Sequence, residues 1–198
     1  METRARILDA ALQRFAQQGY AGTSIRQVAG DVGVQQSAIY NHFAGKQAIF
    51  EALVAESGPG PMLELLKGHQ PEAIAARPPQ VVIPELIDHV ITAWDRPRAR
   101  LFTSVVLREG GPGAAGLPEV IAGAQHQLGA VLAVWVDAGR LREGFSPEHV
   151  AFELMAPLGM LRLLYLHAAA GAAARRTGRD LAKRHVAYFL AREVINHD

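Results

Sequence analysis

Residues 25–43 read IRQVAGDVGVQQSAIYNHF, and this stretch decides how the N-terminal part of the chain folds. Ala29 is small enough to let two helices approach closely, and Gly33 tolerates the positive φ that a tight turn between them needs. Ile39 follows at a position that anchors the second helix on the first. The spacing of these three residues predicts a helix-turn-helix.

Helices are predicted on both sides of this unit. Apolar residues recur at helical spacing from about residue 3 to 18, and Gly19 predicts the end of that helix. Both Thr23 and Ser24 are suitable N-caps for the next helix, and the sequence leaves open which of them caps it. A fourth helix is expected to start near Lys46.

The rest of the chain shows the same helical periodicity, interrupted by proline and glycine, and no window alternates as a strand does. A loop is predicted at Gly110–Gly113, and another loop or a frayed helix end at 168–174. The fold class is therefore all-α. Further helices are predicted at about 62–69, 79–95, 97–109, 117–139, 146–169 and 178–196.

Composition limits the classes of protein that need consideration. The 198 residues are 49% hydrophobic and include no cysteine, which excludes disulfides and thiolate metal sites. No signal peptide is recognisable, and the most apolar stretch is interrupted by Arg162 and His167, so a cytoplasmic protein is expected. The net charge is +1, and the first 50 residues carry five Lys and Arg against three acids, or +2. An interpretation that involves nucleic acid must therefore depend on pattern rather than on charge.

The polar residues of the second helix of the unit suit the reading of DNA bases. Glutamine and asparagine can form paired hydrogen bonds with adenine, serine can bond to several base edges, and tyrosine can donate to phosphate. Thr23 and Lys46 lie at predicted helix starts, where they could bind phosphate. A tight helical corner inside an all-α core would show the same spacing. The residues expected to face DNA are Gln35, Gln36, Ser37, Tyr40 and Asn41.

The segment Arg6–Leu53 resembles the DNA-binding domain of the TetR family of bacterial transcriptional regulators. The likeness depends on Tyr40-Asn41-His42-Phe43 followed by Lys46. Gln36 stands where a basic residue is frequent in the family and Ser37 where glycine is frequent, which leaves the base preference open. By this resemblance, the phosphate backbone is contacted by Thr23, Tyr40, His42 and Lys46, and the recognition helix starts at Gln35, Gln36 and Ser37. The predicted DNA-binding set is Thr23, Ser24, Gln35, Gln36, Ser37, Tyr40, Asn41, His42 and Lys46.

The resemblance also implies how the chain is divided. It implies a three-helix helix-turn-helix domain at 1–48 and a helical effector-binding and dimerisation domain at 49–198. The last two helices, 146–169 and 178–196, are expected to pair with those of a second copy. The first of them is apolar on more than one face, which is typical of a helix with partners on several sides, and Pro157 is expected to kink it.

An effector pocket with apolar walls is expected among the middle helices, where aromatic and histidine side chains are available. The basic cluster of Arg175, Arg176, Arg179, Lys183 and Arg184 is expected to be a solvated helix start and loop. The spacing of the histidines predicts no metal site, and no motif indicates a cofactor or an enzyme. The candidate ligand-binding residues are His89, Trp94, Phe102, His126 and Trp135.

The sequence therefore predicts a DNA-binding regulator. It would repress by binding a palindromic operator as a dimer, and a small, largely apolar effector would release it. Two alternatives remain open at this point. One is a helical ligand-binding protein or enzyme whose N-terminal head is a structural appendage, and the other is a structural DNA-binding protein without an effector.

Overall fold

The computed structural model describes residues 2–109 and 117–195, and their regular structure consists of helices. The all-α prediction is therefore confirmed, while the loop predicted at Gly110–Gly113 lies outside the described residues. No helix in the described part of the chain is both long and apolar enough to cross a membrane. The helices are α1 Thr3–Gly22, α2 Ile25–Val32, α3 Gln36–Tyr40, α4 Lys46–Ser57, α5 Gly60–Leu66, α6 Pro71–Ala75, α7 Pro79–Trp94, α8 Pro97–Glu109, α9 Leu117–Asp137, α10 Pro147–Tyr165 and α11 Ala172–Glu193.

Local sequence signals fix the turns around α2. Gly19 interrupts α1 with a φ of +83°, and Gly33 ends α2 in the left-handed conformation with a φ of +74°. Ser24, and not Thr23, is the N-cap of α2. Its hydroxyl accepts a hydrogen bond from the Gln27 backbone N–H at 3.3 Å, and the Gln27 side chain accepts one from the Ser24 backbone N–H at 2.8 Å. This reciprocal pair is a capping box.

The helix predictions differ from the structure at α6 and around the junction of α10 and α11, where α10 ends at Tyr165 and not near residue 169. The five-residue helix α6 was not predicted, because it is too short to show a helical period. Helix α11 begins at Ala172 instead of near residue 178, so part of the stretch expected to be a loop is helical. Alanine has the highest intrinsic helix propensity, and α11 gains its first turn from the alanines 172–174.

The apolar side chains form two core clusters. The first joins α1, α2, α3 and α4, and it also contains Phe102 and Val105 of α8. The second joins α5, α6, α7, α9, α10 and α11. The domain boundary predicted at residue 48 falls inside α4, whose Phe50 and Leu53 belong to the first cluster. Helix α8 therefore lies between the N-terminal head and the helical body.

The expectation that the basic cluster is solvated was wrong for two of its members. Asp95, at the end of α7, receives hydrogen bonds from Arg175 at 3.3 Å and from Arg179, both on α11. Arg100 of α8 donates to the same carboxylate at 3.1 Å. These contacts join three helices at one acidic side chain that is only 15% exposed.

Candidate nucleic-acid interface and ligand cavity

Helix α3 presents an uncharged polar surface to solvent. Ile39 is fully buried and anchors the helix on the first core, while the neighbouring Tyr40 is 52% exposed. Its phenol accepts a hydrogen bond from the Gln36 side-chain amide at 3.3 Å. The structure thus brings six of the predicted DNA-facing residues together on one exposed surface: Gln35, Gln36, Ser37, Tyr40, Asn41 and His42.

Two other predicted contact residues serve the turn between α1 and α2. Thr23 is 3% exposed, and its hydroxyl donates to the Gly19 carbonyl at 2.8 Å. The hydroxyl of Ser24 takes part in the capping box of α2. The fold already uses both hydroxyls, and contact of Thr23 and Ser24 with DNA stays a prediction.

Lys46 has a structural role that its position in the sequence did not indicate. Its Nζ donates to the Tyr20 carbonyl at 2.6 Å and to the Thr23 carbonyl at 2.8 Å. The same nitrogen lies 4.3 Å from the centroid of the Tyr20 ring, within the range of a cation–π contact. Lys46 therefore holds the start of α4 against the turn that precedes α2, and contact with phosphate remains a prediction for it.

Several arginines of the head form ion pairs or hydrogen bonds with other residues of the protein. Arg14 donates to both carboxylate oxygens of Asp31 at 2.5 and 2.6 Å, which joins α1 to α2. The hydrogen bond from Arg14 holds the pKa of Asp31 below its usual range. Arg6 donates to the carbonyl of Val32, and Arg4 pairs with Glu56 at 2.9 Å. All three arginines of α1 therefore have acceptors within the protein.

Helix α8 connects the head to the body by charged and aromatic contacts. Arg98 donates to Asp9 of α1 at 2.6 Å and to Glu56 of α4 at 3.2 Å. Arg108 donates to the backbone carbonyls of Ala16 and Gln17 in α1 at 3.1 and 3.2 Å, beside Gly19. A displacement of α8 would therefore be transmitted directly to the helix that supports the helix-turn-helix.

Phe102 extends the contact between α8 and the head into the apolar core of the head. Its ring centroid lies 6.1 Å from that of Phe50 on α4. Phe102 also lines a cavity of about 340 Å³ between α5, α8, α9 and α10. The volume is at the lower end of the range of about 300–1,000 Å³ that is typical of small-molecule sites. The other large apolar side chains of its wall are Met62, Trp94, Val106, Ile121, Phe152, Met155 and Leu163.

Of the five predicted ligand-binding residues, only Trp94 and Phe102 meet in this cavity. His89 is exposed on α7, and Trp135 is buried elsewhere, where its indole N–H donates to the Ala75 carbonyl at 3.0 Å. His126 lines a separate, more polar cleft of about 600 Å³ beside α5 and α6, together with Lys67. Helical spacing does not show which core or cavity an aromatic side chain enters. The sequence therefore could not distinguish the residues that line the cavity from those that are buried or exposed elsewhere.

Arg162 of α10 lines the cavity and was not a candidate at the sequence level. Its Nε donates to the Thr103 hydroxyl at 2.9 Å, and its guanidinium carbon lies 4.8 Å from the Trp94 ring centroid. The residue is only 8% exposed, and burial lowers its pKa from 12.5 to about 10. The available signal was a single arginine inside the apolar stretch LGMLRLLYL.

The fold and the exposed surface of α3 define a helix-turn-helix protein with a helical body. The family model of bacterial regulatory proteins of the TetR family matches residues 7–53. The HTH-type transcriptional regulator TtgW of Pseudomonas putida, itself uncharacterised, is 34% identical over 109 residues, which are 55% of this chain and 75% of TtgW. The chain belongs to the TetR family. The predicted resemblance is thereby confirmed.

Other relatives match over a smaller part of their length. The HTH-type transcriptional regulator AcrR of Shigella flexneri is 35% identical over 111 residues, which are 54% of this chain and 49% of AcrR. The chain thus spans about half the length of this relative. The solved structure of SmeT, the repressor of the Stenotrophomonas maltophilia multidrug efflux pump SmeDEF, has a TM-score of 0.72 at 22% identity, with 99% of this chain and 92% of SmeT covered. That likeness shows a shared fold.

Proposed function

We propose that the protein is a transcriptional repressor that binds a palindromic operator through α3. The observation that carries this proposal is the exposed surface of α3, where neutral hydrogen-bonding side chains project from a helix that Ile39 anchors. Such side chains can discriminate bases in the major groove. Residues 1–48 would read DNA, and residues 49–198 would bind the effector and the second copy. As a regulator of chromosomal DNA, the protein would act in the cytoplasm.

A mobility-shift assay on a palindromic operator fragment tests the proposal. We expect sequence-specific binding, and Gln36→Ala should change the preferred base at one position of each half-site. Gln17→Ala on α1 lies away from α3 and serves as the matched control. If the head were a structural appendage of a ligand-binding protein or an enzyme, no fragment would be bound with sequence preference.

Dimerisation through α10 and α11 is the second part of the proposal. Phe152, Met160 and Leu164 of α10 are 51%, 57% and 57% exposed, and they are separated by multiples of four residues, so they share one face of the helix. Tyr188 of α11 is 64% exposed. A second copy packing through the same face would cover these side chains and form a symmetric four-helix interface. Two recognition helices would then meet two half-sites.

Release by a small apolar effector is the third part. The cavity shares Phe102 with the core of the head, so a bound molecule would change the preferred position of α8. Binding would then favour conformations in which the two heads no longer fit the operator, which is a population shift. SmeT has been solved as a complex with triclosan, and the apolar walls of the cavity in this chain suit a molecule of similar character.

A thermal-shift screen of small apolar compounds tests the effector proposal. We expect saturable stabilisation by at least one of them and weaker operator binding in its presence. A structural DNA-binding protein without an effector would show operator binding but no saturable stabilisation.

A further inference from the structure

The guanidinium of Arg162 is incompletely satisfied by the protein. Its Nε has Thr103 as an acceptor, but Nη2 is buried and has no hydrogen-bond partner within residues 2–109 and 117–195. Thr103 itself is 1% exposed and donates onward to the Ala99 carbonyl at 3.0 Å. The cavity wall therefore holds a buried guanidinium whose Nη2 has no acceptor in the described part of the protein.

Stacking on aromatic rings offsets only part of the unfavourable burial. The Arg162 guanidinium carbon lies 4.8 Å from the Trp94 centroid and 5.8 Å from the Phe102 centroid, but neither ring supplies a hydrogen-bond acceptor for Nη2. A buried charge is strongly unfavourable unless it is paired and hydrogen-bonded. A carboxylate oxygen accepts a charge-assisted hydrogen bond from such an N–H group, and this bond is stronger than one between neutral groups.

We propose that the cavity binds an amphipathic carboxylate, with its apolar body between α5, α8, α9 and α10 and its anionic group at Nη2 of Arg162. This inference rests on the proposed effector site and specifies the chemistry of its ligand. Arg162 is the only charged side chain among the described residues that line the cavity, and the polar ones are Thr103 and Gln125, so a cationic head would meet a like charge and no carboxylate. A neutral apolar molecule would leave Nη2 without a partner.

The position of Arg162 connects this ligand to the DNA-binding head. Its hydrogen-bond partner Thr103 lies next to Phe102 on α8, the helix whose Arg98 and Arg108 hold α1. A carboxylate bound to Arg162 would therefore act on α8 in two ways. Its charge would act through Arg162 and Thr103, and its apolar body would contact Phe102. The anionic group and the apolar body would reach the same helix.

Three probes of equal chain length test the proposal on the full chain: octanoate, 1-octanol and octyltrimethylammonium. Calorimetric titration at neutral pH should give a dissociation constant for octanoate at least tenfold lower than that for 1-octanol, with the ammonium the weakest of the three. Arg162→Met keeps the apolar stem, and octanoate should then bind no more tightly than 1-octanol. Equal affinity for octanoate and 1-octanol in the wild type, or no binding of any probe, would overturn the proposal.

Two glycine variants locate the binding. A Cβ atom at Gly159, in the cavity wall, or at Gly123, outside it, meets no atom within 4 Å, so both positions accept a side chain. Gly159→Leu should abolish binding of octanoate, whereas Gly123→Leu should leave its affinity unchanged. Octanoate binding that survives Gly159→Leu places the ligand elsewhere and contradicts the proposal. The wild-type comparison of the three probes stands even if Arg162→Met fails to fold.

A mobility shift in the presence of octanoate separates this inference from the proposed function. Tight, Arg162-dependent binding of octanoate without release of the operator would support the ligand chemistry and contradict effector-controlled repression. Operator binding combined with equal affinity for octanoate and 1-octanol would leave the repressor proposal intact and contradict the proposal that the ligand carries a carboxylate.

Discussion

Gly178 lies where α11 crosses α10, and the contact there is too close for a side chain. A Cβ atom at this position would lie 2.6 Å from the Cβ of Tyr165. Because that atom is attached directly to the backbone of α10, it cannot move away without shifting the helix. We expect Gly178→Ala to lower the free energy of unfolding by about 1–3 kcal/mol, as overpacking of a core does.

Gly123→Ala is the matched control, since α9 has open space there. Replacing a helical glycine by alanine without a clash should stabilise the protein by about 0.5–1 kcal/mol. Urea denaturation of the two variants gives the comparison. A stabilising Gly178→Ala would show that α10 and α11 are not packed as closely as described.

Two residues of the predicted DNA-binding set differ in their role in the fold. Lys46 forms hydrogen bonds within the protein, whereas Tyr40 lies on the surface. Lys46→Ala removes the donor to two backbone carbonyls, and hydrogen bonds to charged groups contribute about 1.5–3 kcal/mol. We therefore expect its urea midpoint to fall, while Tyr40→Ala, which alters a side chain that is 52% exposed, should keep the wild-type midpoint. Both variants should bind operator more weakly.

The salt dependence of binding then decides the phosphate assignment of Lys46. Loss of one phosphate contact should reduce the slope of log affinity against log salt by about one. A variant that loses stability but keeps the full slope would show that Lys46 acts only within the fold.

At the scale of the secondary-structure elements, the helix-turn-helix could be predicted because each signal in it is local. Gly33 and the capping residue of α2 act within a few residues. Gly33 ends α2 as predicted, and the structure decides between the two candidate caps in favour of Ser24. Contacts between distant residues carry no such signal. The carboxylate of Asp95 meets Arg175 and Arg179 only after α7 and α11 have packed, and the burial of Arg162 depends on Thr103, 59 positions away.

The ion pair between α1 and α2 makes a prediction about pH. Because Arg14 lowers the pKa of Asp31 in the folded protein, the folded state binds fewer protons at this carboxyl than the unfolded chain, where its pKa is about 3.9. The pair therefore stabilises the protein above about pH 4. This stabilisation disappears as the pH falls through the lower, folded value.

Arg14→Gln tests this prediction in urea denaturation series. The variant should unfold at lower urea than the wild type at pH 6, and the two midpoints should converge as the pH falls below the folded pKa of Asp31. Arg26→Gln, on an exposed position of α2, is the control and should show no such pH-dependent difference. A constant difference between Arg14→Gln and the wild type at both pH values would argue against the ion pair.

At the scale of the whole molecule, the exposed apolar face of α10 leads us to expect that a second copy covers it. Leu164→Glu should convert the dimer to a monomer at micromolar concentration, because a buried carboxylate without a partner is strongly unfavourable. Light scattering after size exclusion measures the mass directly. Leu107→Glu is matched in exposure, at 50% against 57%, and lies on α8, so it should leave the dimer intact. A monomeric wild type would contradict the proposed interface.

The shared position of Phe102 has a consequence for how such a sensor can diversify. A substitution there that admits a new ligand also removes a side chain from the core of the head, so ligand choice and operator binding cannot change independently at this residue. Ile121 and Met155, on the opposite wall, lie outside that core. Random mutagenesis of the cavity selected for a new inducer should therefore accumulate changes on α9 and α10 and spare α8. This bias would divide the cavity into an adaptable half and a half constrained by DNA binding.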